Sequence, residues 1–157
     1  MGADEIAPAY RLMVISGVVG ALILAIGAFQ FIHYEPVGQR SGLHARIVGI
    51  YAYDPKAAEI AGGNIDHIAA SKPFAAKVDW TSLPGGTQVA AHWFLGGFAI
   101  DAGGVGPAQA SSLPDVIPVS VGRQKLPSGR FEFVVERWSG GRPVEVLGRK
   151  SVLVAGP

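Results

Sequence analysis

FAAKVDWTSLPGGTQVAAHWFL, residues 74–95, holds the pattern that decides the fold. From Phe74 to Thr81 the side chains alternate, with Phe74, Ala76, Val78 and Trp80 on one face and Ala75, Lys77, Asp79 and Thr81 on the other. The turn SLPGG (82–86) interrupts, and TQVAAHWFL (87–95) resumes with Val89, Ala91 and Trp93 on one face. Period two is the repeat of a strand, because successive side chains point to opposite faces of a sheet. Runs of this kind broken by Gly/Pro turns argue an antiparallel all-β domain.

The same signature recurs on both sides. RIVGIYAY (46–53) reads as a first strand, and VIPVSV (116–121) as a short one that Pro118 confines to a sheet edge. GRFEFVVERW (129–138) sets Phe131, Phe133 and Val135 opposite Arg130, Glu132 and Glu136, and after the turn SGGRP (139–143) VEVLGRKSVLV (144–154) returns. Roughly five to eight strands within about 110 residues fit an antiparallel immunoglobulin-like β-sandwich, with a small closed β-barrel as the alternative. The expected core is Trp80, Val89, Trp93, Phe131 and Phe133, with Trp93 as the central tryptophan of a sandwich that lacks the cysteines of antibody domains. The Ala-rich stretch 55–71, with Ile60, Ile65 and Ile68, is expected to form a short helix or two capping one end. The Gly-rich stretch 96–115 is expected to be a long loop with at most one short strand.

Upstream the period changes. LMVISGVVGALILAIGAFQFI, residues 12–32, has 21 residues, no charge, and only Ser16 and Gln30 as polar side chains. A helix rising about 1.5 Å per residue spans roughly 30 Å over that length, the thickness of a bilayer's hydrocarbon core. The run is too long for a signal-peptide core. The tail before it carries Arg11 against Asp4 and Glu5, and the residues after it are too bulky for a cleavage site. The expected organisation is an N-terminal tail (1–11), a single transmembrane α-helix (12–32), a linker (33–44) and a β-sandwich domain (45–157). Pro36, Gly38 and Gly42 mark the linker, and His33 and Tyr34 sit where amphipathic rings meet headgroups. Gly17, Ala21, Ala25 and Ala28, bordered by Gly20, stack on one side of the helix as a small-residue stripe suited to close packing on another transmembrane helix.

Charge and composition narrow the function. The net charge of +1 gives no sign of nucleic-acid binding. Residues 122–157 carry seven basic side chains against Glu132, Glu136 and Glu145, a surplus of four, read as solvated strand faces. The chain has no cysteine, which removes disulfides, thiolate metal sites and cysteine nucleophiles. Basic residues flanking the anchor slightly favour a cytoplasmic C-terminal domain. β-rich domains on N-terminal anchors favour the outside, and the expectation is an extracytoplasmic domain on a single-pass protein, in the inner membrane if the source is bacterial.

Candidate chemistry is sparse. His33, His44, His67 and His92 have no ligand spacing. Asp66 and His67 are adjacent without a nucleophile set beside them. Gly103, Gly104 and Gly106 lack the Lys-Ser/Thr and helix start of a phosphate loop, and Asp79 and Asp101 belong to no calcium-loop pattern. No catalytic, cofactor or metal site is expected. The expected role is a non-catalytic accessory subunit that docks through its helix on the transmembrane subunits of a larger complex, respiratory or photosynthetic by analogy of architecture. The alternative is a free-standing membrane-anchored module binding a peptide, a lipid headgroup or a metal ion through 96–115.

Overall fold

The alternating runs are strands in the computed structural model, which describes residues 14–21, 33–119 and 126–156, without the side chains of 101 and 102. The chain divides into two units, Met1–Ile32 and His33–Pro157. In the first, residues 14–21 are helical and Val14, Ile15, Val18 and Val19 are exposed. Among the described residues no helix is long and apolar enough to cross a membrane. The tail 1–11 and residues 12, 13 and 22–32 of the expected anchor, with Ala25 and Ala28 of its stripe, lie outside the described residues.

The second unit is all-β. Its described strands are β1 (Arg46–Asp54), β2 (Glu59–Ala61), β3 (His67–Ala69), β4 (Phe74–Asp79), β5 (Gln88–Leu95), β6 (Phe98–Gln109), β7 (Val116–Pro118), β8 (Gly129–Ser139) and β9 (Arg142–Ala155). They form two sheets, in the orders β2-β1-β4-β7 and β3-β9-β8-β5-β6, one of them curled as a half-barrel. Every pairing is antiparallel except β3 with β9, where His67, Ile68 and Ala69 run parallel to Leu153, Val154 and Ala155. β7 is an edge strand, and Pro118 ends it opposite Ala75, where the missing N–H breaks no interior ladder.

One apolar cluster joins the sheets. Phe74 meets Trp93 edge-on at 5.1 Å and Phe131 at 6.0 Å, while Trp93 and Phe133 lie 4.9 Å apart. Such ring pairs add about 0.5–1.5 kcal/mol each beyond the area they bury. Val89, Trp93, Phe131 and Phe133 are fully buried. Trp80 is buried too, although the strand stops one residue before it. The Asp79 carboxylate accepts from the Thr81 amide and hydroxyl, turning Trp80–Ser82 into a single 3-10 turn. The Trp80 indole then donates to the Pro114 carbonyl at 3.0 Å.

Two stretches differ from expectation. Residues 55–71 contain no helix. Asp54 accepts from the Lys56 and Ala57 amides, Ala58 adopts φ +56°, and the chain folds back as β2 with Ile60 opposite Tyr53. Residues 96–115 are not a long loop, because Phe98–Gln109 is the edge strand β6, paired along β5. Its glycines permit the pairing: Gly106 has φ +85°, and a Cβ there would lie 2.5 Å from the Val89 carbonyl oxygen.

Removing the central ring tests the core. Trp93→Ala is expected to cost about 3–5 kcal/mol, comparable to the whole stability of a small domain. The measurement is thermal unfolding of the full chain followed by β-sheet circular dichroism, and an unchanged cooperative transition would refute the assignment.

Candidate functional site

The second face of the five-stranded sheet is also buried. On β5 and β8 the side chains that alternate with the core set are Ala90, His92 and Phe94, and Glu132, Val134 and Glu136. Ala90, Phe94 and Val134 are buried outside the core cluster. Glu132, Glu136 and Glu145 were expected on solvated strand faces. They are instead buried, with 7%, 2% and 9% of their surfaces exposed. The reason is the segment 33–44, which lies over this face as an ordered strap rather than a loose linker.

The strap is fastened one residue after another. His33 Nδ1 donates to Glu132 Oε1 at 2.7 Å. The Tyr34 ring stacks on Phe94 with centroids 4.6 Å apart, and its hydroxyl is hydrogen-bonded to Glu136. Arg149 Nη2 donates to Glu35 Oε2 at 2.6 Å and to the Tyr34 carbonyl at 3.1 Å. Gly38 packs against the backbone of Val144 so closely that a Cβ would collide with the Val144 carbonyl. Arg137 Nη2 donates to the Gln39 carbonyl at 2.6 Å, while its Nε donates to Glu145 Oε2 at 2.8 Å. The Ser41 amide and hydroxyl complete the Glu145 carboxylate at 2.7–2.9 Å. The Ala45 amide then donates to the Leu147 carbonyl, and β1 begins.

These contacts set the electrostatics. Burial pushes the Glu145 carboxyl up, but hydrogen bonds from Ser41 and Arg137 outweigh it and hold the group down at about 2. Burial raises the Tyr34 phenol to about 12, helped by the charge of Glu136 and the hydrogen bond to it. Glu132 is less completely served: among the described residues its Oε2 has no hydrogen-bond partner, and it lies 4.0 Å from Arg149 Nη1. His92 Nε2 lies 4.0 Å from Glu136 Oε2, so each buried β8 carboxylate has an imidazole beside it. In both pairs the glutamate is buried while the imidazole reaches solvent, with 47% of the His33 side chain and 34% of the His92 side chain exposed. The arrangement is a clamp that holds a chain segment to a sheet.

Sequence reasoning had placed the candidate sites elsewhere. Gly17, Gly20 and Ala21 of the small-residue stripe lie in the helical stretch 14–21, and an added Cβ at Gly17 or Gly20 would meet nothing within 4 Å. The histidines do not converge, and among the described residues no group of His, Asp or Glu is arranged to hold a metal ion. Period two by itself assigns β8 one wet face, which hides the clamp residues. The signal was there in the unbroken apolar runs WFL (93–95) and FVV (133–135), which mark strands covered on both sides. No protein-family model, curated protein or solved structure matches the chain.

The pH dependence of the clamp follows from Glu145. Its carboxyl titrates lower in the folded chain than in the unfolded one, so its stabilisation is present above the ordinary glutamate range. It is lost as pH falls from there towards about 2. The Glu145→Gln variant should therefore melt below the native chain at neutral pH, and the gap should close progressively over that acid window. A gap independent of pH would contradict the assignment.

Proposed function

We propose that this chain is a single-pass membrane protein, anchored through residues 12–32, whose β-domain serves as a non-catalytic accessory subunit of a larger membrane complex. The observation that carries the reading is the clamp. The first docked residue, His33, directly follows the apolar run in sequence, so the segment 33–44 belongs to the domain. A tethered recognition module gains from reach. A domain that takes up its own linker suits a subunit role better. The stripe Gly17, Gly20 and Ala21 supports the same reading, since small side chains let helix backbones approach closely. The runner-up, a module recognising ligands through 96–115, loses its motive because Phe98–Gln109 is paired as a strand.

We further read the domain as an immunoglobulin-like sandwich. Supporting this are β1-β4-β7 packed against β9-β8-β5-β6 through one core, with β3 added parallel to β9. Trp93, on the first strand of the β5–β8–β9 layer, is flanked by Phe74 of β4 and Phe133 of β8. In antibody domains a disulfide joins the corresponding pair of strands beside the tryptophan. The domain is taken to lie outside the cytoplasm.

The test uses native membranes. The chain should resist alkaline extraction and should leave mild detergent with a stoichiometric companion. A bulky side chain in the stripe should cost about 1–3 kcal/mol of helix association, roughly 5- to 150-fold. Ala21→Leu should lose the companion, whereas Val18→Leu, about 100° round the helix from Gly17, should retain it. Migration of the native chain alone would end the subunit reading, and equal retention by both variants would remove the stripe from it.

A further inference from the structure

The two layers of the β-unit leave a cavity at one end. It has a volume of about 500 Å³ and opens to solvent between β1 of one sheet and β3 of the other. Small-molecule sites begin at about 300 Å³. Its apolar lining comes from Ala52 on β1, Ile65 and Ile68 before and on β3, and Pro73 at the entry to β4. Ile65 and Ile68 also pack against the core cluster, which holds that wall in place.

Two opposite charges line the same cavity, on the exposed residues Asp54 and Lys72. The register sets them side by side. Ala52 pairs with Phe74, and the Tyr53 amide donates to the Pro73 carbonyl at 3.1 Å, so the next residues across the ladder are Asp54 and Lys72. Cross-strand neighbours have Cβ atoms about 5 Å apart on one face, here the face that Phe74 turns to the core. Charges so placed would ordinarily close on each other, and these do not. Asp54 Oδ1 accepts from the Lys56 amide at 2.8 Å and the Ala57 amide at 3.4 Å. Among the described residues neither Asp54 nor Lys72 takes part in an ion pair. A carboxylate oxygen, Asp54 Oδ2, and the Lys72 ammonium are therefore left free beside an apolar cavity.

We infer that this cavity binds an apolar α-amino acid. The ligand's ammonium and carboxylate, one carbon apart, match the neighbouring Asp54 and Lys72, and its side chain lies against Ala52, Ile65, Ile68 and Pro73. Each ligand charge meets a charged hydrogen-bond partner at the mouth, while apolar surface leaves water inside. The inference depends neither on the anchor nor on a companion subunit.

Equilibrium dialysis of the full chain in mild detergent against radiolabelled leucine tests it. The native chain should take up leucine saturably. N-acetyl-leucine lacks the ammonium, leucinamide lacks the carboxylate, and glycine lacks the apolar side chain. Each should compete about tenfold less well than leucine, or worse. Lys72→Gln and Asp54→Asn should each weaken leucine binding about tenfold. The second variant keeps an amide oxygen that can still accept from the Lys56 and Ala57 amides, so the turn survives. Lys77→Gln removes a lysine that does not line the cavity and should bind as the native chain does. The proposal is overturned by an absence of saturable uptake, or by analogues that compete as well as leucine. Binding left unchanged by both cavity variants would also overturn it, as would an equal loss in Lys77→Gln, which would reduce the effect to net charge.

Discussion

A carboxylate taken out of water has to be given donors, and β8 and β9 bury three, on Glu132, Glu136 and Glu145. The strands serve them only in part, through Arg137 on Glu145 and Trp138 on Glu136. The other donors come from residues 33–41: an imidazole, a phenol, and a serine amide and hydroxyl, with Arg137 and Arg149 bridging strap and sheet. The dependence is mutual. Without the strap Glu132 and Glu136 are stranded on an apolar face shared with Ala90, Phe94 and Val134, and the strap in turn is held by the carboxylates together with Arg137, Arg149 and the Tyr34–Phe94 stack.

The opposite face solves a different problem. Sheets in a small β-domain are often joined by a disulfide, and this chain has no cysteine. Its two layers are joined by rings, with Phe74 of one sheet set edge-on against Trp93 and Phe131 of the other. The core therefore rests on aromatic packing and apolar burial, at the cost of one buried indole N–H on Trp93 without an acceptor among the described residues. The five-stranded sheet thus has two covered faces, one apolar and one ionic. That accounts for β8 reading FEFVVE, with hydrophobic residues continuous through its middle and glutamates at both ends of the run.

Strand content and the core face were legible because they depend only on local alternation. Val89, Ala91 and Trp93 point inward for the reason that made them recognisable, a period of two. What was not legible depends on contacts distant in sequence. His33 and Glu132 are 99 residues apart, and Ser41 and Glu145 are 104 apart. Nothing in the neighbourhood of a Glu states that a strap will cover it. β6 was obscured for the converse reason. The glycines that let its backbone approach β5 are the residues that locally signal a loop, so a tertiary requirement took on the appearance of disorder. The stretch 55–71 departs from its local signal: its alanines favour a helix, whereas the Asp54 turn and pairing with β1 prevail.

The account's central claim is that residues 33–44 form a fixed part of the β-domain, and amide hydrogen exchange on the full chain at neutral pH addresses it most directly. The account predicts slow exchange at Ser41, whose amide is held by the buried Glu145 carboxylate, and at Ala45, bonded to Leu147. Protection at Ser41 should vanish in a Glu145→Ala variant while the amides of β5 and β8 stay protected. Exchange at Ser41 at the rate of an unstructured chain in the native protein, with the sheet amides protected, would contradict it.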